Sequence, residues 1–137
     1  ERIGPTAALK TLEIMKLEKS WEVITKKGKY IGKRWRDLAI NHDLPIECSG
    51  LPALINFKIP VENWLKYKTL ITQEMLKRGF LASNSVFVCT EHKQKIIDQY
   101  FENLNPVFAM IAECESGNNI DEFLEGPVCH SGFKRLN

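Results

Sequence analysis

Hydrophobic and polar positions change period twice between residues 53 and 89, and the rest of the chain is arranged around that stretch. Ala53, Ile55, Phe57 and Ile59 alternate with Leu54, Asn56 and Lys58. A two-residue period describes a strand with one buried face, and Pro60 ends it. From Val61 to Arg78 the apolar positions fall at Val61, Trp64, Tyr67 or Lys68, Ile71 and Met75. Steps of three and four predict a helix with one apolar stripe. Gly79 suits its C-terminal end, where a left-handed residue is needed. Ser85 to Cys89 is rich in strand-forming residues. Strand, helix and strand form the organising unit, and the remaining segments read as helices laid against it.

Upstream, Gly4-Pro5 opens a helix with a proline in the first turn. Ala8, Leu9, Leu12, Met15 and Leu17 supply its expected apolar face. Ser20 marks either a cap for a second helix or a kink. A regular stripe follows at Trp21, Ile24, Gly28, Ile31, Trp35 and Leu38. A glycine on that stripe lowers helix propensity but lets another backbone approach. Pro45 stops the helix, residues 46–49 form a short strand, and Gly50-Leu51-Pro52 make a turn. Residues 80–84 have room for another short strand and a turn. Thr90 is the expected cap of a last helix reaching about Glu115. Its buried side uses Ile96 or Ile97, Tyr100, Leu104, Val107 or Phe108, and Ile111. Pro106 should kink or restart it. Residues 120–124 predict one more helical turn. Residues 116–137 form a tail whose apolar side chains suggest docking on the domain.

The 137 residues suffice for one domain, 1–137, with one core. A formal charge of +2 is too small to imply a nucleic-acid or membrane partner. No run reaches the length of a transmembrane helix, and no leader of basic then apolar residues opens the sequence. Cys48, Cys89, Cys114 and Cys129 contain no CxxC pair or zinc-like spacing. They are expected to be free thiols in a reducing cytoplasm.

Candidate chemistry is sparse. Lys26-Lys27-Gly28-Lys29 and Lys33-Arg34-Trp35-Arg36 are the most basic stretch, and a solvated helix face accounts for them better than a nucleic-acid surface. Cys129-His130 lacks a third group to orient a thiolate–imidazole pair. His42 and His92 stand at element ends, and nothing predicts that the histidines converge on a metal. The glycines of Gly28-Lys29-Tyr30-Ile31-Gly32-Lys33 lie inside a helical pattern, outside the context of a phosphate loop. Glu113 and Glu115 are two apart and share no helix face. Asp121, Glu122 and Glu125 cluster in the tail, with Arg135 as a charge partner or, through its guanidinium fork, a carboxylate binder. No catalytic, cofactor-binding or metal-ligating residue is assigned.

Four segments carry a family resemblance. Gly4-Pro5-Thr6-Ala7-Ala8-Leu9-Lys10-Thr11-Leu12 resembles the entry to the C-terminal small domain of class III pyridoxal-phosphate aminotransferases, most closely proteins of the glutamate-1-semialdehyde 2,1-aminomutase type. In that family a Gly-Asn-Pro leads into an alanine-rich helix, and here Ile3-Gly4-Pro5 stands in its place. Leu44-Pro45-Ile46-Glu47-Cys48-Ser49-Gly50 is similar to the strand and turn after the helix pair. Tyr67 followed by Met75-Leu76-Lys77-Arg78-Gly79-Phe80-Leu81-Ala82 is similar to the family's helix and Arg-Gly-Val/Phe passage. Thr90-Glu91-His92 resembles the turn before the last helix. The resemblance covers residues 4–115 and leaves the tail outside it.

It implies an α+β fold, the small domain of a fold-type I enzyme, with a small, mainly antiparallel sheet covered by helices. It implies that the chain is the C-terminal part of a longer protein that moves an amino group to or within an amino-acid, keto or aldehyde substrate. The Schiff-base lysine, the aspartate facing the pyridine nitrogen and the stacking aromatic belong to the family's large domain, so pyridoxal 5'-phosphate is expected in the full-length parent and not on this chain alone. Expected partners are that large domain and a second copy in a homodimer. Arg78 to Ser85, with Glu1 and Arg2, are expected nearest the substrate cleft. Some family members bind a substrate carboxylate with an arginine of this domain, but Ala82-Ser83-Asn84-Ser85-Val86-Phe87 supplies none. The competing expectation is a stand-alone α+β interaction or dimerisation domain without enzymatic activity.

Overall fold

The computed structural model describes residues 2–132. It shows an α+β domain in the order α1 (Ile3–Glu18), α2 (Ser20–Asn41), β1 (Glu47–Ser49), β2 (Leu54–Lys58), α3 (Trp64–Lys77), β3 (Ser85–Phe87) and α4 (Gln94–Glu115), followed by a 3-10 turn at Ile120–Glu122. The sheet has the order β1-β2-β3 and is antiparallel at both pairings. Cys48 faces Phe57 across the first pairing, and Ile55 faces Val86 across the second. As the two-residue period requires, Ile55, Phe57 and Ile59 are buried.

The core lies between that inner sheet face and three helices. Trp35 from α2, Phe57 from β2 and Phe108 from α4 stack in sequence, with ring centroids 4.7 Å apart for the first pair and 5.9 Å for the second. Both distances lie in the favourable range for tilted aromatic pairs. Tyr67, Leu70, Ile71 and Met75 of α3 close one side, and Ile97, Leu104, Val107 and Ile111 of α4 the other. Gly28 does what its place on the stripe suggests. A Cβ there would overlap the Pro52 carbonyl oxygen, so the β1–β2 turn can sit against α2 only because the position has no side chain.

Several expectations change. The apolar face proposed for α1 is not a core face. No residue of α1 is buried, and Leu9, Leu12 and Leu17 are 70%, 62% and 81% exposed. Amphipathic spacing reports that a helix has an apolar side, not that this chain covers it. Ser20 does not cap α2. The break lies one residue earlier at Lys19, in the left-handed region at φ 48°, where its N–H bonds the Met15 carbonyl. The last helix starts at Gln94 rather than at Thr90, because residues 89–93 form a turn in which the Cys89 N–H donates to His92 Nδ1 at 3.2 Å. Pro106 neither breaks nor restarts α4, which is continuous to Glu115. The carbonyl deprived of its partner belongs to Glu102, which is exposed to water, and Val107, Phe108 and Ile111 bury the next turns in the core. The strand expected at residues 85–89 ends at Phe87, and α3 begins at Trp64 rather than Val61.

Within the described residues the tail contacts the domain as far as Cys129. It crosses α3 and is held mainly by polar groups. Gln73 Nε2 donates to the Phe123 carbonyl at 2.9 Å, and the Glu125 N–H donates to Gln73 Oε1 at 2.9 Å. The Cys129 N–H donates to Thr69 Oγ1, also at 2.9 Å. Ile120 is buried in the core.

Candidate functional site: an apolar cleft beside strand β3

The segment after α3 is shaped by its first residue. Gly79 takes φ +82° and ends the helix, and the Phe80 N–H returns to the Met75 carbonyl at 2.9 Å. Asn84 then clasps β2 from both groups. Its Nδ2 donates to the Phe57 carbonyl and its own carbonyl accepts the Phe57 N–H, each at 2.9 Å. These bonds hold residues 80–87 in a bend over the sheet edge. Between that bend, Ile31 of α2 and Ile96, Ile97 and Tyr100 of α4 lies a cleft of about 330 Å³. Its size is at the lower end of small-molecule sites.

The walls are mostly apolar. Leu81 stands at the cleft almost wholly exposed, at 93%. Phe87, also lining it, is 74% exposed and pairs across the sheet with exposed Leu54. The polar groups are the Ser85 side chain and the His92 ring. Because His92 Nδ1 accepts the Cys89 N–H, a neutral ring carries its proton on Nε2 and offers a donor there. Tyr100 reaches the cleft with its ring only. Its hydroxyl accepts Trp35 Nε1–H at 3.0 Å, and burial pushes its pKa up. Among the described residues no lysine, arginine or carboxylate lines the cleft. Such a surface can bind an apolar group beside one hydrogen-bond acceptor. It carries no nucleophile joined to a base.

The other candidates separate. His42 Nε2 meets Asn105 Oδ1 at 2.9 Å and ties the end of α2 to α4. Cys129 turns toward α3, with Sγ 3.5 Å from the Leu65 carbonyl. Among the described residues no three His, Cys, Asp or Glu side chains gather to hold a metal. The four cysteines are free thiols, and burial raises the pKa of Cys114. In the tail, Asp121 pairs with Lys66 and Glu125 with Lys77, each at 2.7 Å. These partners are α3 lysines. Arg135, like Glu1, lies outside the described residues. Of the basic stretch, Lys27 Nζ donates to the Thr90 carbonyl at 2.6 Å, Lys33 pairs with Asp37 and Arg34 with Asp98.

Two polar arrangements were not anticipated. Glu74, 8% exposed, accepts from Lys77 at 2.7 Å, Arg78 at 2.8 Å and Gln73 at 3.1 Å. Burial alone would raise its carboxyl, but those donors outweigh it and hold the pKa at about 2. Its signal was present in the sequence, since position 74 lies on the same stripe as Tyr67 and Ile71 with basic residues three and four positions on. Tyr67 donates to Glu115 Oε1 at 2.5 Å, and burial followed by that carboxylate raises the phenol pKa. Nothing in the spacing of residues 67 and 115 announces that pair.

Fold and cleft together define a small α+β domain with an apolar cleft at a sheet edge. No family model matches the chain, and no curated protein matches it. Among the described residues no helix is long and apolar enough to cross a membrane.

Proposed function

We propose that this chain acts as the C-terminal small domain of a class III pyridoxal-phosphate enzyme of the glutamate-1-semialdehyde aminomutase type, closing over a substrate cleft built mainly by a large domain. The supporting observation is where the four resembling segments fall. Residues 4–12 form the first part of α1, residues 44–50 follow α2 and include β1, residues 75–82 end α3, and residues 90–92 precede α4. Three of the four stretches thus lie at the ends of elements and the first lies within α1. In this reading the bend at Phe80–Phe87 forms part of the cleft wall, where excluding water strengthens the electrostatics around a bound substrate. The described residues that line this cleft do not themselves fit the cofactor. The cleft presents neither a lysine for its aldehyde nor a cation for its phosphate. No chemical step is therefore assigned to this chain, and the amino-group chemistry rests with the large domain. A cytoplasmic location and a homodimer belong to the same proposal.

The exposed apolar side chains of α1 also favour a second reading, a stand-alone interaction domain whose α1 meets a partner. One experiment separates them. The intact mass of the natural protein and the coding sequence upstream of Glu1 are determined together. A longer chain with a lysine-bearing large domain supports the enzyme reading. A natural product of 15.8 kDa, the mass of these residues alone, overturns it.

A further inference from the structure

We propose that the cleft between α2 and the β1–β2 turn binds the phosphate group of a small phosphorylated metabolite through Lys29 and Arg36. Six basic side chains stand between residues 26 and 36 of α2. Lys27, Lys33 and Arg34 are engaged by the Thr90 carbonyl, Asp37 and Asp98. Lys26, Lys29 and Arg36 have no ion-pair partner among the described residues, and of these three Lys29 and Arg36 line the same cleft of about 240 Å³. That is several times the roughly 30 Å³ occupied by one water. Among the described residues no carboxylate lines it.

The shape follows from local sequence. Lys29 and Arg36 are seven residues apart, so they share a face of α2, with Gly32 between them. A Cβ on Gly32 would overlap Ile55 Cδ1 and lie 3.9 Å from Arg36 Nη1. The guanidinium therefore lies back over a glycine floor. The opposite wall is the turn at Ser49 and Gly50, where Gly50 takes φ +92°. Cys48 also borders the cleft, and burial raises its thiol pKa against the pull of Arg36. It stays neutral at neutral pH and does not repel an anion.

Two cations approaching from separate helix turns favour phosphate over carboxylate. The planar guanidinium matches two oxygens of one group, and the ammonium adds a point charge to a third. A carboxylate has no third oxygen to offer.

The test is an amide-resolved NMR titration of the 137-residue chain with inorganic phosphate at neutral pH and constant ionic strength. Acetate is the carboxylate comparison. The expected result is saturable shifts at Gly32, Arg36 and Cys48–Gly50, with a dissociation constant on the order of 1 mM. Arg36→Ala should weaken binding about tenfold and Lys29→Ala about fivefold, while Lys10→Ala leaves it unchanged. If Arg36→Ala misfolds, Lys29→Ala and Arg36→Lys carry the test. Failure to saturate, shifts spread evenly over the surface lysines, or equal shifts with acetate would each overturn the site.

Discussion

Trp35 Nε1 donates to the Tyr100 hydroxyl at 3.0 Å, joining α2 to α4 in a core where both residues are buried. Each group is the other's hydrogen-bond partner. Tyr100→Phe removes the acceptor and leaves a buried indole N–H unsatisfied, at a cost of about 1–3 kcal/mol. Trp35→Phe loses both volume and donor and should cost more, about 2–4 kcal/mol. In the double variant the two losses should fall short of additivity, because the bond can be removed only once. Urea unfolding of the three variants measures this.

Acid should weaken the α3–tail junction. The Glu74 carboxyl sits at about 2 against an ordinary 4.5, so the unfolded chain takes up its proton first. Its stabilisation is complete above the unfolded value and is lost as pH falls from about 4.5 toward 2. Glu74→Gln should destabilise the domain at neutral pH by about 1–3 kcal/mol and flatten the acid limb of the stability curve. Denaturant midpoints across that range test both parts. An unchanged acid limb would mean that other carboxylates govern it.

Gly28→Ala should be among the most damaging single changes in the chain. The added methyl meets the Pro52 backbone, not a side chain that could turn aside. The β1–β2 turn must move away from α2, and about 2 kcal/mol or more should be lost. Gly126→Ala, with no atom within 4 Å of the new methyl, should change stability by less than about 0.5 kcal/mol. Thermal unfolding of the pair separates crowding from the general effect of replacing a glycine.

Lys19 holds a left-handed conformation that costs a side-chain-bearing residue about 1–2 kcal/mol. Lys19→Gly removes that strain but adds freedom to the unfolded chain. A net gain of up to about 1 kcal/mol is expected, because the Lys19–Glu22 ion pair that is lost is long, at 3.8 Å, and exposed. Lys19→Val should lower stability, since a β-branched residue tolerates positive φ poorly. The difference in melting temperature between these variants is the measurement.

How legible was this in the sequence? The inner face of β2 and the stripes of α2 and α3 were readable because one period and one buried side coincide there. Gly28 was readable for the same reason, since a glycine on an apolar stripe points to close backbone approach. The exposure of α1 was not, because spacing records only that apolar residues share a side. The restart expected at Pro106 does not occur, for a different reason. Helix-breaking chemistry is local, whereas the burial of Val107, Phe108 and Ile111 that carries α4 past it is tertiary. The start of α4 was missed because Lys93, its N-cap, makes no side-chain capping bond. As for the candidate cleft, the residues themselves suggest only a short strand and a turn at 80–84, and the structure has no strand there. The wall contributed by Ile31 and Tyr100 was not legible, since pairing across such separations leaves no local mark. Lys29 and Arg36 were visible as charge. Their convergence on one cleft, with Lys27, Lys33 and Arg34 already engaged, was not.

The left-handed residue between the first two helices makes α1 a lever. Its 16 residues extend about 24 Å from that single pivot, and no part of it is buried in the domain. A rotation of about 20° at Lys19, within the ordinary scatter of backbone dihedrals, carries the far end near Ile3 through roughly 8 Å. The core keeps its packing while that end swings. Whatever seats against Leu9 and Leu12 is thereby aimed by the dihedral angles of one residue that neither surface contains.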